Sequence, residues 1–374
     1  MIRLLVVDDS ALMRKLLGGV FAQEADFEVA FARDGEQALA EHASFRPDVI
    51  TLDINMPGLD GLACLDRIML DRPTPVVMLS SLTADGAEVT LDALERGAVD
   101  FVAKPGGAVS LEMDRLGPLI VQRVRAAARA RLRPTLRLAE RIRARSATSA
   151  RGAVTRAPRP KSLPSPGPTS DPSPTPGRIE GIEGIEGIVL VGTSTGGPPA
   201  LDALLSRLPA DFSWPVVIAQ HMPGNFTGPL SRRLDGLCAL KVQEASRPMP
   251  LTPGNVYVGK GDADMTLARR PSGLVVQPVP AHADYPWHPS ADRLVASALE
   301  LVEPSRLIGI LMTGMGRDGA ATMAELRAKG GRTIAESEET AVVWGMPGEL
   351  VRAGGATVVV PLDGIADALL DMVL

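Results

Sequence analysis

Three acidic residues stand at the ends of two apolar runs near the start of the chain. Asp8 and Asp9 follow the apolar residues 4–7, and Asp53 follows the run at 49–52. Both runs have the length and composition of buried parallel strands, whose carboxyl ends meet at one edge of a sheet. Like charges gathered there repel one another unless a cation lies among them. The spacing therefore predicts a Mg²⁺ site and makes Asp53 a candidate carboxylate nucleophile for a phosphoryl group.

Two later apolar runs end in residues that could contact such a phosphoryl group. Ser80 closes the run that begins at residue 75, and Lys104 follows residues 101–103. Acids at strand ends often do no more than cap the following helix. A cap needs one acid, however, whereas here there is a pair plus a third at another strand end, and capping gives no role to Lys104. A phosphoryl-transfer site is the better interpretation.

These motifs together resemble the receiver domain of two-component response regulators. The resemblance rests on Val-Asp-Asp-Ser at 7–10, Leu-Asp-Ile-Asn-Met-Pro-Gly-Leu-Asp-Gly at 52–61, Ser80 and Lys104 with the proline after it. It covers about residues 1–125 and implies a flavodoxin-like α/β domain that needs Mg²⁺ for phosphorylation. The implied roles are metal binding by Asp8, Asp9 and Asp53, phosphorylation at Asp53, switching by Ser80 and Phe101, and phosphoryl contact by Lys104.

The segment at 126–187 is predicted to be a linker. From Arg115 to Lys161 there are fourteen basic residues and one acid, Glu140, and eight of the twenty residues at 157–176 are proline. Such a composition cannot bury a core. The stretch ends in three Ile-Glu-Gly repeats, which are too short to form a repeat fold. A basic run could bind nucleic acid, but it lacks interleaved aromatic residues, so we expect a solvated tether and no specific nucleic-acid partner.

A second α/β pattern follows the linker, and its first predicted strand ends at a candidate nucleophile. The apolar residues 188–191 lead into Gly-Thr-Ser-Thr-Gly-Gly at 192–197 and then into a helical pattern. Glycines on both sides of Ser194 permit a tight turn that exposes its hydroxyl, and the helix N-terminus offers N–H groups to an oxyanion. His221 and Asp318 follow two later predicted strands. The three residues suit acyl transfer, with His221 as the base and Asp318 orienting it.

Each of these three residues also has a simpler interpretation. Ser194 could cap a helix, His221 could be a loop residue and Asp318 a turn former, and the glycine-rich turn partly imitates a dinucleotide fingerprint. Their joint placement at three strand ends favours catalysis. Their order along the chain differs from the Ser, Asp, His order of the α/β-hydrolases, so that fold is not assigned.

The second half of the chain resembles the catalytic domain of the bacterial chemotaxis protein-glutamate methylesterases (CheB). The matching motifs are 192–197, Gln-His-Met-Pro at 220–223, His-Pro-Ser-Ala-Asp at 288–292, Thr-Gly-Met-Gly-Arg-Asp-Gly at 313–319 and Val-Val-Trp-Gly-Met-Pro-Gly at 342–348. The resemblance implies a doubly wound parallel-sheet esterase domain at 188–374. The implied site residues are the triad Ser194, His221 and Asp318, with Thr195, Met315 and His288 in the substrate and oxyanion environment.

The expected function is a phosphorylation-regulated serine esterase. The resemblance implies hydrolysis of glutamate γ-methyl esters on methyl-accepting chemotaxis receptors, deamidation of receptor glutamines, a CheA-type histidine kinase as phosphodonor, and no cofactor for ester hydrolysis. No segment approaches the ~20 apolar residues of a membrane span, so a cytoplasmic protein is expected. The alternative is a response regulator that binds DNA through its basic linker, but no helix-turn-helix pattern follows the receiver.

His42, beside Glu41, is expected to be a solvated surface residue.

Overall fold

The computed structural model describes residues 1–80, 83–104, 109–132 and 185–373, which form two α/β units. Most of the predicted linker lies outside the described residues. The first unit is a parallel sheet of order β2-β1-β3-β4-β5, the flavodoxin-like order. Its strands are β1 (Ile2–Val7), β2 (Phe27–Ala32), β3 (Val49–Asp53), β4 (Val76–Ser80) and β5 (Asp100–Ala103), and its helices are α1 (Ala11–Phe21), α2 (Gly35–Phe45), α3 (Gly61–Asp71), α4 (Ala84–Glu95) and α5 (Val109–Ala127).

The composition of these elements explains why they form. Strands β3 and β4 are buried along their whole length, as expected for central strands covered by helices on both faces. Four of the helices begin at a side chain that accepts a hydrogen bond from a backbone N–H of the first turn. These caps are Ser10, Asp34, Asp60 and Thr83.

The second unit contains a seven-stranded parallel sheet of order β15-β14-β13-β6-β7-β10-β8 and a three-stranded antiparallel sheet of order β11-β12-β9. The strands are β6 (Ile188–Thr193), β7 (Val216–Gln220), β8 (Lys241–Ala245), β9 (Met249–Pro250), β10 (Asn255–Gly259), β11 (Ala263–Arg270), β12 (Gly273–Pro280), β13 (Leu307–Leu311), β14 (Arg332–Glu336) and β15 (Val358–Val360). The helices are α6 (Gly197–Leu205), α7 (Gly224–Leu237), α8 (Ala291–Leu301), α9 (Ala320–Ala328), α10 (Met346–Arg352) and α11 (Ile365–Val373).

Helices cover both faces of the seven-stranded sheet. Apolar side chains of α6, α7 and α11 belong to the core on one face, and those of α8, α9 and α10 to the core on the other. The chain leaves β6 toward β7 on one side and later returns to β13 on the other side. This reversal is the topological switch point, where open α/β sheets place their sites. The predicted α/β, doubly wound class is confirmed.

The two units contact each other along α4 and β5 of the first and α6 and α7 of the second. The rings of Phe101 and Phe226 lie 4.4 Å apart between their centroids. Arg233 on α7 donates to the carbonyl of Leu91 at 3.0 Å and pairs with Glu95 at 2.8 Å, both on α4. The Arg233 and Glu95 side chains are only 15% and 21% exposed, so this ion pair is largely removed from water. The interface therefore combines aromatic packing with a shielded charge pair.

The prediction for His42 was wrong. The residue is buried, its Nε2 lies 2.9 Å from the Thr74 hydroxyl, and its carbonyl accepts from Arg72 at 3.0 Å. Burial lowers the pKa of the imidazole, and the like charge of nearby Arg72 lowers it further. None of the described helices is both long enough and apolar enough to cross a bilayer.

Candidate functional site

Ser194, His221 and Asp318 are all buried at the switch point of the second sheet. Ser194 directly follows β6, His221 follows β7, and Asp318 lies in the loop between β13 and α9. The Nε2 atom of His221 is 2.7 Å from Oδ2 of Asp318. The structure thus forms the imidazole and carboxylate half of the predicted triad.

The start of α8 holds the Asp318 carboxylate in place. Oδ1 accepts from the Ser290 hydroxyl at 2.8 Å and from the Asp292 N–H at 3.1 Å, while Oδ2 accepts from the Ala291 N–H at 2.6 Å. Burial alone would raise the pKa of Asp318, but the hydrogen bond and charge of His221 and the backbone donors outweigh it and lower the pKa. Asp318 is therefore held as a carboxylate that can orient the imidazole.

The second nitrogen of the His221 ring is left for proton transfer. Nδ1 is buried and, among the described residues, has no hydrogen-bond partner. The backbone N–H of His221 donates to Thr193 O at 3.1 Å. This bond joins the end of β7, which His221 follows, to the end of β6, which Ser194 follows. Hydrogen bonds between a nucleophile and its base are often completed only when substrate binds. Among the described residues, Nδ1 is therefore available to accept a proton from a nucleophile.

The backbone of the Ser194 turn is fixed from both neighbouring strands. The Ser194 N–H donates to Thr313 O at 3.0 Å, and Ser194 O accepts from the side-chain amide of Gln220 at 3.0 Å. Gly196 has φ +78°, and a Cβ there would lie 2.8 Å from Cβ of Val342. The position requires glycine because a side chain would be both strained and in collision.

Thr195, which follows Ser194, forms a hydrogen bond with the first unit. Its hydroxyl donates to Oδ2 of Asp100 at 2.6 Å, and both residues are buried. Asp100 is the first residue of β5, and its Oδ1 pairs with Arg123 of α5 at 3.0 Å. The first unit thus covers the residue that adjoins the candidate nucleophile.

Met315 and His288 lie in different surroundings. Met315 is partly buried and borders a cavity of about 410 Å³ with Trp344 and with Arg129, two residues after the end of α5. It follows Gly314, where a Cβ would come within 2.8 Å of Cβ of Ser194. The His288 imidazole is turned toward the buried Asp264, with Nδ1 at 2.9 Å from Oδ1. The role predicted for His288 in the substrate groove stays a prediction.

The acid cluster of the first unit is assembled as the sequence predicts. Carboxylate oxygens of Asp8, Asp9 and Asp53 lie within 4.8 Å of one another, and Asp8 and Asp53 are buried. Nζ of Lys104 is 2.8 Å from Asp8 Oδ2 and 2.8 Å from Asp53 Oδ2. Burial raises the pKa of Asp53, helped by the charge of Asp8 and opposed by Lys104. Burial would lower the pKa of Lys104, but its two carboxylate partners outweigh this and raise it.

This donor set fits a magnesium ion. Mg²⁺ prefers carboxylate oxygens and usually binds through one or two of them together with water and phosphate oxygens. Three carboxylates at this separation, one of them exposed to solvent, offer such ligands with room for a phosphoryl oxygen. Only one cation, Lys104, contacts Asp8 and Asp53 among the described residues, so negative charge remains for a divalent ion.

Of the two predicted switch residues, Ser80 contacts α4 and Phe101 contacts the second unit. Oγ of Ser80 lies 2.6 Å from the Thr90 hydroxyl and 3.3 Å from Gly86 O, both on α4. Phe101 is buried against Phe226 of the second unit. Both residues therefore belong to the layer that joins the acid cluster to the second unit.

Sequence reasoning missed several residues that support the candidate active site. Ser290 was predictable as a cap, because it lies in the motif at 288–292 and precedes the helical pattern of α8. Gln220 lies in the motif at 220–223, but no local sequence pattern indicates its contact with Ser194. Thr313 was missed as a junction: its hydroxyl donates to Thr195 O at 2.8 Å and accepts from the Val343 N–H at 3.0 Å.

Glu336 was missed as well, and it supports Thr313. It ends β14, is fully buried, and its Oε2 accepts from the Thr313 N–H at 2.8 Å. Its Oε1 has no hydrogen-bond partner within the described ranges. Burial raises the pKa of Glu336 to about 7, against the lowering effect of the Thr313 N–H and the Thr340 hydroxyl. A buried acid that titrates near neutrality therefore lies beneath the turn that holds Ser194.

Comparison with protein families gives two matches. A family model described as CheB methylesterase matches residues 189–369, and one described as a response regulator receiver domain matches residues 4–113. The two matches fall on the two α/β units.

Full-length relatives are also similar. The protein-glutamate methylesterase/protein-glutamine glutaminase 2 of Rhodopseudomonas palustris strain BisB18 is 56% identical over 99% of this chain and 98% of its own length. A protein of the same type from Rhodospirillum rubrum is 53% identical over 99% of this chain and 95% of its own length. The crystal structure of the Thermotoga maritima CheB methylesterase catalytic domain is 35% identical, covers 50% of this chain and 98% of its own, and has a TM-score of 0.48.

The raised pKa of Glu336 predicts that the wild-type protein becomes less stable as pH rises, and that Glu336→Gln does not. Below pH ~4.5, an ordinary glutamate pKa, the acid is neutral in folded and unfolded chains. Between ~4.5 and about 7 the unfolded chain ionises first, so wild type loses stability, by roughly 3 kcal/mol in total. The glutamine variant should lack this loss, because its side chain stays neutral.

Urea unfolding followed by tryptophan fluorescence measures this difference, since all three tryptophans lie in the second unit. The gain from Glu336→Gln should grow across that pH window and level off above it. Glu300→Gln, at an exposed position of α8, is the matched control and should show no such trend. A gain that is constant with pH would contradict the assignment.

Proposed function

The chain belongs to the CheB methylesterase family, and on that premise we propose that it hydrolyses γ-methyl esters of glutamate side chains on methyl-accepting chemotaxis receptors and releases methanol. The names of the relatives also support deamidation of receptor glutamines. The observation that carries the proposal is the 2.7 Å contact of His221 with Asp318, beside Ser194 at the switch point. We further propose a division into a receiver domain at 1–125, a linker at 126–187 and a catalytic domain at 188–374.

Ester hydrolysis follows from the placement of the three residues. Ser194 Oγ attacks the ester carbonyl and gives its proton to His221 Nδ1, while Asp318 stabilises the imidazolium through Nε2. The tetrahedral intermediate collapses as the imidazolium protonates the departing methoxide, and methanol leaves an acyl group on Ser194. Water, deprotonated by His221, then releases the glutamate carboxylate. We assign Thr195 and Met315 to the surroundings of the oxyanion.

The first domain regulates this reaction by phosphorylation at Asp53. Asp8, Asp9 and Asp53 would hold Mg²⁺, which when bound offsets the charge of the transferring phosphoryl group. Lys104 lies where it can contact the phosphoryl oxygens, because its Nζ already contacts two of the three carboxylates. The phosphodonor is proposed to be a CheA-type histidine kinase.

The unphosphorylated receiver inhibits the esterase by covering its site. Asp100 contacts Thr195, and α4 is held to the catalytic domain by Arg233. Ser80 contacts Thr90 and Gly86 of the same helix, so drawing its hydroxyl toward a phosphoryl group on Asp53 displaces α4 from its present contacts. Phosphorylation thereby shifts the population toward an open form.

The catalytic assignment predicts large losses of methanol release from methyl-labelled receptor membranes. Ser194→Ala and His221→Ala should each lower turnover by about 10³-fold or more, because each removes a reacting group. Asp318→Asn should cost less than either, since it disturbs orientation. Ser246→Ala, at an exposed loop position, serves as the control and should match wild type. Near-wild-type rates in all three variants would disprove the triad.

Phosphorylation should require the acid cluster and a divalent ion. Radiolabelled acetyl phosphate should label Asp53 only when Mg²⁺ is present, and chelation should prevent labelling. Asp53→Asn should abolish the label, and Asp9→Asn should raise the Mg²⁺ concentration needed for labelling, because it removes one metal ligand. The control is Asp48→Asn, which lies at the opposite end of β3. Labelling that persists in the Asp53 variant contradicts the site.

Breaking the pair between Arg233 and Glu95 should activate the enzyme without phosphorylation. Glu95→Lys places two cations together in a shielded interface, so basal methanol release should rise by about 5-fold or more, the equivalent of ~1 kcal/mol of lost docking. Stimulation by acetyl phosphate should shrink to the same extent, because the open form is already populated. Glu41→Lys on α2 reverses the same charge away from the interface and should leave both rates unchanged. An unaltered basal rate in Glu95→Lys argues against inhibition by docking.

A further inference from the structure

The loop at 282–290 brings an aromatic ring onto the catalytic imidazole. The indole of Trp287 stacks on the ring of His221, with 5.9 Å between ring centroids and an angle of 14° between their planes. Its Nε1 also lies close to the loop before Asp318, since a Cβ on Gly316 would be 3.6 Å away. The indole therefore adjoins both His221 and the loop that carries Asp318.

A buried carboxylate fixes this loop. Asp264, at the start of β11, accepts from the His282 N–H at 3.2 Å, from His288 Nδ1 at 2.9 Å and from the Ser290 N–H at 2.8 Å. Arg293 of α8 completes the cluster at 2.6 Å. The loop is thus held at both of its ends by one residue, and the indole between them is set in position.

A further contact joins the loop to the strand end that carries the base. His288 O accepts from the N–H of Met222, the residue after His221, at 3.3 Å. This hydrogen bond therefore holds the backbone of the loop next to the backbone at His221. Stacking of Trp287 on His221 follows from this arrangement and does not depend on substrate.

The indole also borders a cavity. Trp287 lines a cavity of about 570 Å³ together with Arg317 and Asp318. Because the indole adjoins both that cavity and His221, a small side chain in its place would let water from the cavity reach the imidazole. Water would screen the pair with Asp318, whose strength depends on exclusion of solvent.

We propose that Trp287 is a positioning residue of the esterase reaction: its indole fixes the His221 ring and stabilises the imidazolium that forms when Ser194 loses its proton. A cation that lies about 6 Å or less from the centroid of an indole, over its face, is attracted by the ring quadrupole, most strongly where water is excluded. The attraction exists only while the imidazole is charged, so it lowers the barrier without tightening substrate binding. This inference rests on the proposed function.

Comparison of Trp287→Phe with Trp287→Leu tests the inference in the full-length chain. The first readout is the rate constant for labelling of Ser194 by a small fluorophosphonate, which needs the same proton transfer but no receptor. The second is kcat and KM for methanol release. Trp287→Leu should lower the labelling rate and kcat alike, by about 5- to 30-fold, the equivalent of about 1–2 kcal/mol, with KM within about 2-fold. Trp287→Phe should keep both within about 3-fold of wild type.

Three controls separate the possible outcomes. Tyr285→Leu removes a neighbouring aromatic ring of the same loop and should leave the labelling rate unchanged. Equal losses in Trp287→Phe and Trp287→Leu, a change in KM alone, or no change in either variant would each overturn the role of Trp287. Ser194→Ala and His221→Ala should abolish labelling; if they do not, the proposed function fails, and this inference fails with it. Matching thermal melts of the two Trp287 variants exclude unfolding as the cause.

Discussion

The buried carboxylate of Asp318 is the interaction on which the arrangement of the catalytic site depends. A buried charge is tolerated only when donors surround it, and here an imidazole, a hydroxyl and two N–H groups at the start of α8 do so. The helix N-terminus favours the negative charge because it is the positive end of the helix dipole. Since α8 directly follows the loop at 282–290, the contacts that hold the carboxylate also determine where that loop meets His221.

Local sequence patterns predict the strand ends well and the contacts between distant segments poorly. Ser194, His221 and Asp53 follow or end short apolar runs, and a parallel sheet must bring such positions to one edge. The bond between Asp100 and Thr195 joins residues 95 apart on different sheets, and no periodicity encodes it. His42 was misjudged from its acidic neighbour, although its spacing of four from the buried Ala38 places both on one helix face.

In the proposed regulation, the two sites are linked through a small number of elements. Ser80 and Asp53 both end strands of the same sheet, and Ser80 contacts α4, the helix that Arg233 holds to the catalytic domain. The packed rings of Phe101 and Phe226 lie in the same layer. On this proposal, a displacement of α4 alters the interface, because Arg233 contacts that helix directly. The proposed coupling relies on α4, which contacts Ser80 in the receiver and Arg233 in the catalytic domain.

In the proposed function, receptors bind beside Thr195, and the bond from Thr195 to Asp100 then makes the receiver and the receptor rival ligands of one surface. Thermodynamic linkage then requires that receptor binding weaken receiver docking by the same factor as docking weakens receptor binding. The threshold for activation accordingly depends on local receptor density as well as on the supply of phosphoryl groups. In a crowded receptor array the substrate itself would hold part of the enzyme open, so adaptation there would begin from a higher resting rate than in dilute membranes.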